Sequence, residues 1–212
     1  MMNRFSVHLK LFLKNPLLFC IVKLIKPIPY FAFLFHTSDY QNQVSFYFWF
    51  KQKILNIGDN KGAYWPVHSN SQVYDAKNIK VGVDAYPGIM KGCYIQGKGG
   101  IVIGDFTQIA PNVIIVSANH NLHDLRKHVP QKVLIGKYCW LGGGSKIMPG
   151  VSLGDFTIVG AGAVVTKSFS EGYCVIGGNP ARKIKEIDPN ECLRFEVKER
   201  FTGYVREKSK NP

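Results

Sequence analysis

Between Ile135 and Ser170 a branched aliphatic residue recurs at every sixth position: Ile135, Leu141, Ile147, Leu153, Val159 and Val165. A second column, four places later, holds small or apolar side chains at Cys139, Ser145, Val151, Thr157 and Ala163, and Phe169 ends that habit. Glycine follows the aliphatic residue at Gly136, Gly142, Gly154 and Gly160. A period of six fits neither the helical period of about 3.6 nor long-run strand alternation. It is the period of hexapeptide repeats, which wind a parallel β-helix. Each repeat supplies one short strand and one turn, with the aliphatic residue pointing inward. Three repeats close a coil, so Ile135 and Leu153 should stack directly on one another. No coil buries its apolar face alone; stacking makes the core continuous.

The same phase appears upstream at Val81, Ile103, Ile109 and Ile115, with Gly82 and Gly104 in the following slot. It slips between Val81 and Ile103, which places an irregular coil within 88–100, and again between Ile115 and Ile135. The second gap, 119–132, is polar, rich in histidine and free of the repeat. It reads as one loop thrown out from the scaffold, where function is usually carried. The expected fold is all-β, a β-helix over 61–187 with that extruded loop. It follows a basic, apolar and helical segment at 1–60 and precedes a short helix or tail at 188–212. In the tail, Glu191, Arg194, Glu196, Lys198, Glu199 and Arg200 mix with Leu193, Phe195, Val197 and Phe201.

Charge adds a feature the repeat does not explain. The 212 residues carry a net charge of +13, and Arg4, Lys10, Lys14, Lys23 and Lys26 all precede the first acidic residue, Asp39. Lysines interrupt the N-terminal apolar runs too often for a membrane span, which needs about 20 mostly apolar residues. No small-residue cleavage site of a secretory signal follows them. Two readings stay open for residues 1–35: peripheral contact with a membrane surface, or packing as a cap on the end of the β-helix. No nucleic-acid-binding motif accompanies the charge. Cys20, Cys93, Cys139, Cys174 and Cys192 are odd in number and spread out, so they read as reduced thiols of a cytoplasmic protein, at the inner membrane face if residues 1–35 bind there.

Of six histidines, His120, His123 and His128 share the extruded loop. The bland reading is an idle polar surface. A metal site would need further ligands at metal spacing, and the loop offers none. The third reading is a general base, since a neutral imidazole accepts a proton near neutral pH without perturbation.

The run from Val133 to Arg182 resembles the bacterial hexapeptide-repeat acyltransferases, in the O-acetyltransferase branch that includes the galactoside and maltose enzymes. The matching stretches are Ile109-Ala110-Pro111-Asn112-Val113, Trp140-Leu141-Gly142-Gly143, Pro149 to Asp155, Gly160 to Lys167 and Gly177-Gly178-Asn179-Pro180-Ala181-Arg182. The resemblance implies a left-handed winding, a homotrimer, and acetyl-CoA lying in grooves between subunits. It makes His120, five residues after Ile115, the catalytic base. It assigns acetyl-CoA contacts to Trp140, Gly143, Ala161, Thr166, Lys167 and Arg182, with Lys185 in place of a basic residue further on. Lys167, Arg182 and Lys185 offer charge to nucleotide phosphates. Asn119 or Asp124 could orient the imidazole, while His123 and His68 are further acceptor-site candidates.

The chain departs from the sugar-specific pattern before the loop. Where small-sugar enzymes carry Asn and Asp for acceptor hydroxyls, this chain has Ile89, Met90, Lys91, Gln96, Gly97 and Lys98. The runs Tyr64-Trp65-Pro66-Val67-His68 and Gly92 to Gly97 resemble acetyltransferases of capsule and lipopolysaccharide assembly. A saccharide acceptor, lipid-linked if the enzyme works at a membrane, is the expectation. N-acylation of an amino sugar, a metal-dependent hydratase and a non-catalytic assembly scaffold are the rivals.

Overall fold

In the computed structural model, which describes Cys20 and residues 24–25, 27–37, 40–42 and 44–207, the period-six register closes into three sheets. They form the faces of a triangular prism. The first face holds Gln72–Tyr74, Tyr94–Gln96, Ile114–Val116, Lys146–Ile147 and Val164–Val165. The second holds Ile79–Val81, Ile101–Ile103, Val133–Ile135 and Ser152–Leu153. The third holds Gln108–Ile109, Trp140–Leu141, Thr157–Val159 and Cys174–Gly178, with Ala181–Glu186 returning antiparallel along its end. All other neighbours within these faces are parallel.

Register follows the aliphatic column. Ile103 pairs with Ile135 and Ile135 with Leu153; Ile109, Leu141, Val159 and Ile176 form a second stack, and Ile95, Ile115, Ile147 and Val165 a third. These side chains are buried, as are Cys139, Ser145, Val151, Thr157 and Ala163 of the small column. Burial pushes the Cys139 thiol up to about 11, so it packs as a small neutral group. The early irregularity has two parts. Val81 and Ile95 stand 14 positions apart where their partners Ile103 and Ile115 stand 12 apart. Then Gly97 to Gly100 form a longer turn before Ile101, in which Gly100 takes φ +90°.

The segment before the prism is not one long helix where it is described. It holds short helices at Pro29–Phe31, Phe33–His36 and Phe46–Trp49, the last continuing as a π-helical turn over Phe50–Ile54. Arg4, Lys10, Lys14, Lys23 and Lys26 lie outside the described residues. Buried Gln52 fastens this segment to the first coil. Its Nε2 donates to the carbonyls of Asn60, Ala63 and Trp65, and its Oε1 accepts from Val67 N–H and the Tyr204 hydroxyl. Among the described residues no helix is long and apolar enough to cross a membrane.

Over the described residues 188–207 the C-terminal segment is neither a helix nor frayed. After a single 3-10 turn at Pro189–Glu191 it runs back along the second-to-third edge of the prism and closes with a hairpin, Phe201–Thr202 against Val205–Arg206. Its receptor is an aromatic ladder. Phe106, Tyr138, Phe156 and Tyr173 occupy the same corner of successive coils, each with positive φ between 46° and 59°. Neighbouring rings stack at 5.3, 4.8 and 5.2 Å between centroids. A bulky residue in that backbone conformation costs on the order of 1–3 kcal/mol, and aromatic pairs return about 0.5–1.5 kcal/mol each. The returning tail covers the rings. Arg194 lies over Phe156, Phe195 packs on Phe106, and the Tyr138 hydroxyl donates to the Phe195 carbonyl at 3.0 Å. Arg200 then bonds Asp105, Glu196 and Glu207. At the far end Gly203 passes so close to Trp65 that a Cβ there would sit 2.5 Å from its Cα.

Candidate active site

The extruded segment is a two-stranded antiparallel hairpin, not an irregular loop. Ala118–His120 pairs with His128–Pro130, and His120 stands directly opposite His128. The two imidazoles lie 4.5 Å apart at 41°. His120 Nδ1 sits 2.6 Å from the Leu125 carbonyl oxygen. A carbonyl can only accept, so Nδ1 carries the proton, and Nε2 is left as the basic nitrogen. Partial desolvation first, then Lys98 and His120, hold the His128 imidazole below its ordinary value.

Among the described residues the His120 imidazole is held by this backbone carbonyl, and neither Asn119 nor Asp124 hydrogen-bonds it. Asn119 Nδ2 donates to Gln131 Oε1 at 3.3 Å. Asp124 binds Arg126 and Lys127, and the Arg126 hydrogen bonds hold its carboxyl below the usual carboxylate range. Asn121 builds the turn that makes the Leu125 carbonyl available: its Oδ1 accepts from the N–H groups of His123 and Asp124. His123 is exposed on that turn. His68 precedes the first coil, where its Nδ1 accepts from Asn70 N–H, and no hydrogen bond or ring contact joins it to the hairpin among the described residues. A cleft of ≈ 480 Å³ opens beside the His120 ring, lined by Asn119, His120, Asn121, Leu122, His123, Val129 and Gln131. Among the described residues no three His, Cys, Asp or Glu side chains cluster as metal ligands would.

The residues expected to hold acetyl-CoA fall elsewhere on the prism. Trp140 projects, exposed, from the third face. Gly143 and Ala161 occupy the third-to-first edge in consecutive coils. Each is the second residue of a turn closed by an i to i+3 hydrogen bond, Ser145 N–H to Gly142 O at 3.1 Å and Ala163 N–H to Gly160 O at 3.2 Å. Each is followed by a glycine at positive φ, Gly144 at 69° and Gly162 at 70°. That combination is a type II turn, whose second residue aims its N–H outward. Neither the Gly143 nor the Ala161 N–H donates within the described residues. Stacked one coil apart, the two amides present a short ladder of donors. Thr166 and Lys167 lie exposed on the first-to-second edge, the edge that also carries the hairpin. Arg182 and Lys185 lie on Ala181–Glu186, paired with Gly177 and Val175 at the end of the third face.

Within one chain, then, His120 and the free turn amides stand on different edges, separated by the first face. The hairpin also carries Leu122 and Leu125 in solvent, 91% and 69% exposed. A second cleft, ≈ 570 Å³, runs along the third face past Trp140. Gln41, Met90, Gln108, Tyr138, Leu193 and Phe195 line it, and no charged side chain does. Its walls come from the N-terminal segment and the returning tail, so nothing local in the sequence marks it.

Comparisons with known proteins bear on the family and the fold. Residues 132–167 match the family model described as bacterial transferase hexapeptide (six repeats). The chain is 31% identical over 160 residues to galactoside O-acetyltransferase of Escherichia coli (strain K12), covering 74% of each chain. It is 32% identical over 145 residues to galactoside O-acetyltransferase of Lactococcus lactis subsp. lactis (strain IL1403), covering 65% of this chain and 67% of that one. Among solved structures it resembles galactoside acetyltransferase in complex with coenzyme A, with a TM-score of 0.50 and 30% identity over 63% of this chain and 70% of that one.

Proposed function

The chain belongs to the bacterial hexapeptide-repeat acyltransferases, and on that premise we propose that it transfers acetyl from acetyl-CoA to a saccharide hydroxyl during capsule or lipopolysaccharide assembly, with His120 as general base. The observation that carries the reading is the 2.6 Å contact between His120 Nδ1 and the Leu125 carbonyl. It fixes one tautomer and leaves Nε2 to work.

His120 Nε2 takes the proton from the acceptor hydroxyl as that oxygen attacks the thioester carbonyl, then returns it to the departing sulfur. General base catalysis of this kind contributes about 10²–10⁴-fold, and holding both reactants in one groove supplies much of the remainder. Gly143 and Ala161 donate their free N–H groups to the extended pantetheine arm, and Trp140 covers it. Lys167, Arg182 and Lys185 face the nucleotide phosphates, and Thr166 lies beside them. A backbone N–H near the hairpin stabilises the oxyanion.

The site is completed across a homotrimer. The hairpin of one chain reaches the third-to-first edge of the next, which brings a base and a donor ladder together and buries Leu122 and Leu125. The third-face cleft takes the acceptor. Its Gln41 amide suits a sugar hydroxyl and its aromatic walls suit pyranose faces, and a charge-free lining favours a neutral saccharide over an amino sugar. Peripheral membrane contact through residues 1–35, with a lipid-linked acceptor at the inner leaflet, belongs to the same reading, although much of that segment lies outside the described residues.

The test is thiol release from acetyl-CoA by wild type and His120→Ala, against a panel of nucleotide-linked sugars and oligosaccharides. The expected result is acceptor-stimulated release that falls about 10²–10⁴-fold in the variant while CoA binding persists. Full activity of His120→Ala, or no stimulation and no CoA binding in wild type, would overturn the proposal.

A further inference from the structure

The nine residues Phe46–Ile54 form a continuous helical run with two unlike faces. One face is spoken for: Trp49 and Gln52 are buried against the first coil and the segment around Tyr30 and Phe31. At 100° per residue, Tyr47, Phe50, Lys51 and Ile54 lie on the opposite face, and Leu55 and Ile57 extend it. Tyr47 is 63% exposed, Ile54 55% and Leu55 53%. Five large apolar side chains in a dozen positions thus point into solvent at the N-terminal end of the prism, beyond anything the acetyl-transfer site uses.

We infer that this face docks on an anionic phospholipid bilayer. Three observations select that occupant. The exposed side chains are aromatic and aliphatic, the set that enters the boundary between headgroups and acyl chains. Lys51 shares the face, with its ammonium 4.5 Å from the Tyr47 ring centroid, a long stem lying along an apolar surface with its charge at the rim. Finally, the charge complements an anionic surface: the described stretch 44–68 carries Lys51, Lys53 and Lys61 against Asp59 alone, within a chain of net charge +13. A protein partner of ordinary interface chemistry would not need that one-sided charge. The surface consists of described residues, and it stands whether or not residues 1–35 touch lipid.

The experiment is co-sedimentation of the full chain with phosphatidylglycerol vesicles and with phosphatidylcholine vesicles, for wild type, Phe50→Glu/Ile54→Glu and Lys51→Glu. Wild type should bind phosphatidylglycerol at least about tenfold more tightly than phosphatidylcholine. The double variant should lose about tenfold or more in affinity for phosphatidylglycerol, and Lys51→Glu several-fold. Both should keep wild-type unfolding midpoints and wild-type thiol release with a soluble acceptor, since none of these residues lies in the proposed acetyl-transfer site. No binding by wild type, equal binding to both vesicles, or undiminished binding by folded variants would each overturn the inference.

Discussion

Ala161→Pro separates a ligand-binding role for the turn amides from a structural one, because it moves two readouts in opposite directions. Ala161 is the second residue of a type II turn, the position proline favours. Two coils away, Pro111 already stands at the equivalent corner, followed by Asn112 at φ 60°. Gly160 precedes it, so the restriction proline places on its predecessor's side chain is absent. The substitution therefore keeps the turn, including the bond from Gly162 N–H to Gly143 O at 2.9 Å, and deletes one outward N–H. Losing a single amide hydrogen bond to a ligand carbonyl is worth about 0.5–1.5 kcal/mol, or about 2- to 12-fold in affinity at about 1.4 kcal/mol per decade. The same proline removes freedom from the unfolded chain and should add about 0.4–1 kcal/mol of stability. Titration calorimetry with CoA measures the first quantity, and urea unfolding at fixed protein concentration the second. Ala161→Gly, which retains the N–H, should bind CoA as wild type does and lose stability instead. Unchanged CoA affinity in the proline variant would refute the donor-ladder argument, and a lowered unfolding midpoint would refute the turn assignment beneath it.

Two further outcomes test the framework around the site. Gln52→Met keeps the volume but orphans Val67 N–H, the Tyr204 hydroxyl and the Trp65 carbonyl, whereas Asn60 and Ala63 keep second donors in Ala63 N–H and Lys53. Three buried orphans should cost about 3–5 kcal/mol in urea unfolding, and a loss under about 1 kcal/mol would show that water reaches them. The tail clamp should weaken in acid. Burial alone would raise the Asp105 carboxyl, but Val83 N–H and Arg200 outweigh it and hold it below its ordinary value of 3.8. Its contribution is present above that value and lost as the pH falls through and below it, because the unfolded chain then binds the proton first. Unfolding midpoints measured between pH 6 and pH 2.5 should therefore fall less steeply in Arg200→Ala than in wild type; parallel curves would exclude the clamp.

What could be read from the chain alone divides along one physical line, between repeated and unrepeated contacts. The aliphatic column was legible because each coil solves the same packing problem, so Ile135, Leu153 and their kin reappear in phase and pair as the period requires. The extruded segment was legible through the loss of that phase, but its hairpin was not, since three-residue strands give too little alternation to read. His120 was nameable by resemblance as the proposed base; the backbone carbonyl that holds its imidazole was not, because a carbonyl has no signature in a side-chain sequence, which left Asn119 and Asp124 as equal candidates. The aromatic ladder is the instructive case. Phe106, Tyr138, Phe156 and Tyr173 each stand one place before a buried small residue, Thr107, Cys139, Thr157 and Cys174, so their recurrence was visible. Its meaning lay in the tail: Arg194, Phe195 and Arg200 read as a mixed-charge terminus until the ladder supplies the surface they cover. Bulky residues held at positive φ in four coils persist where a second element repays the strain. The same tail walls the third-face cleft through Leu193 and Phe195, so the contacts invisible to periodicity are the ones that shape the cleft proposed to take the acceptor.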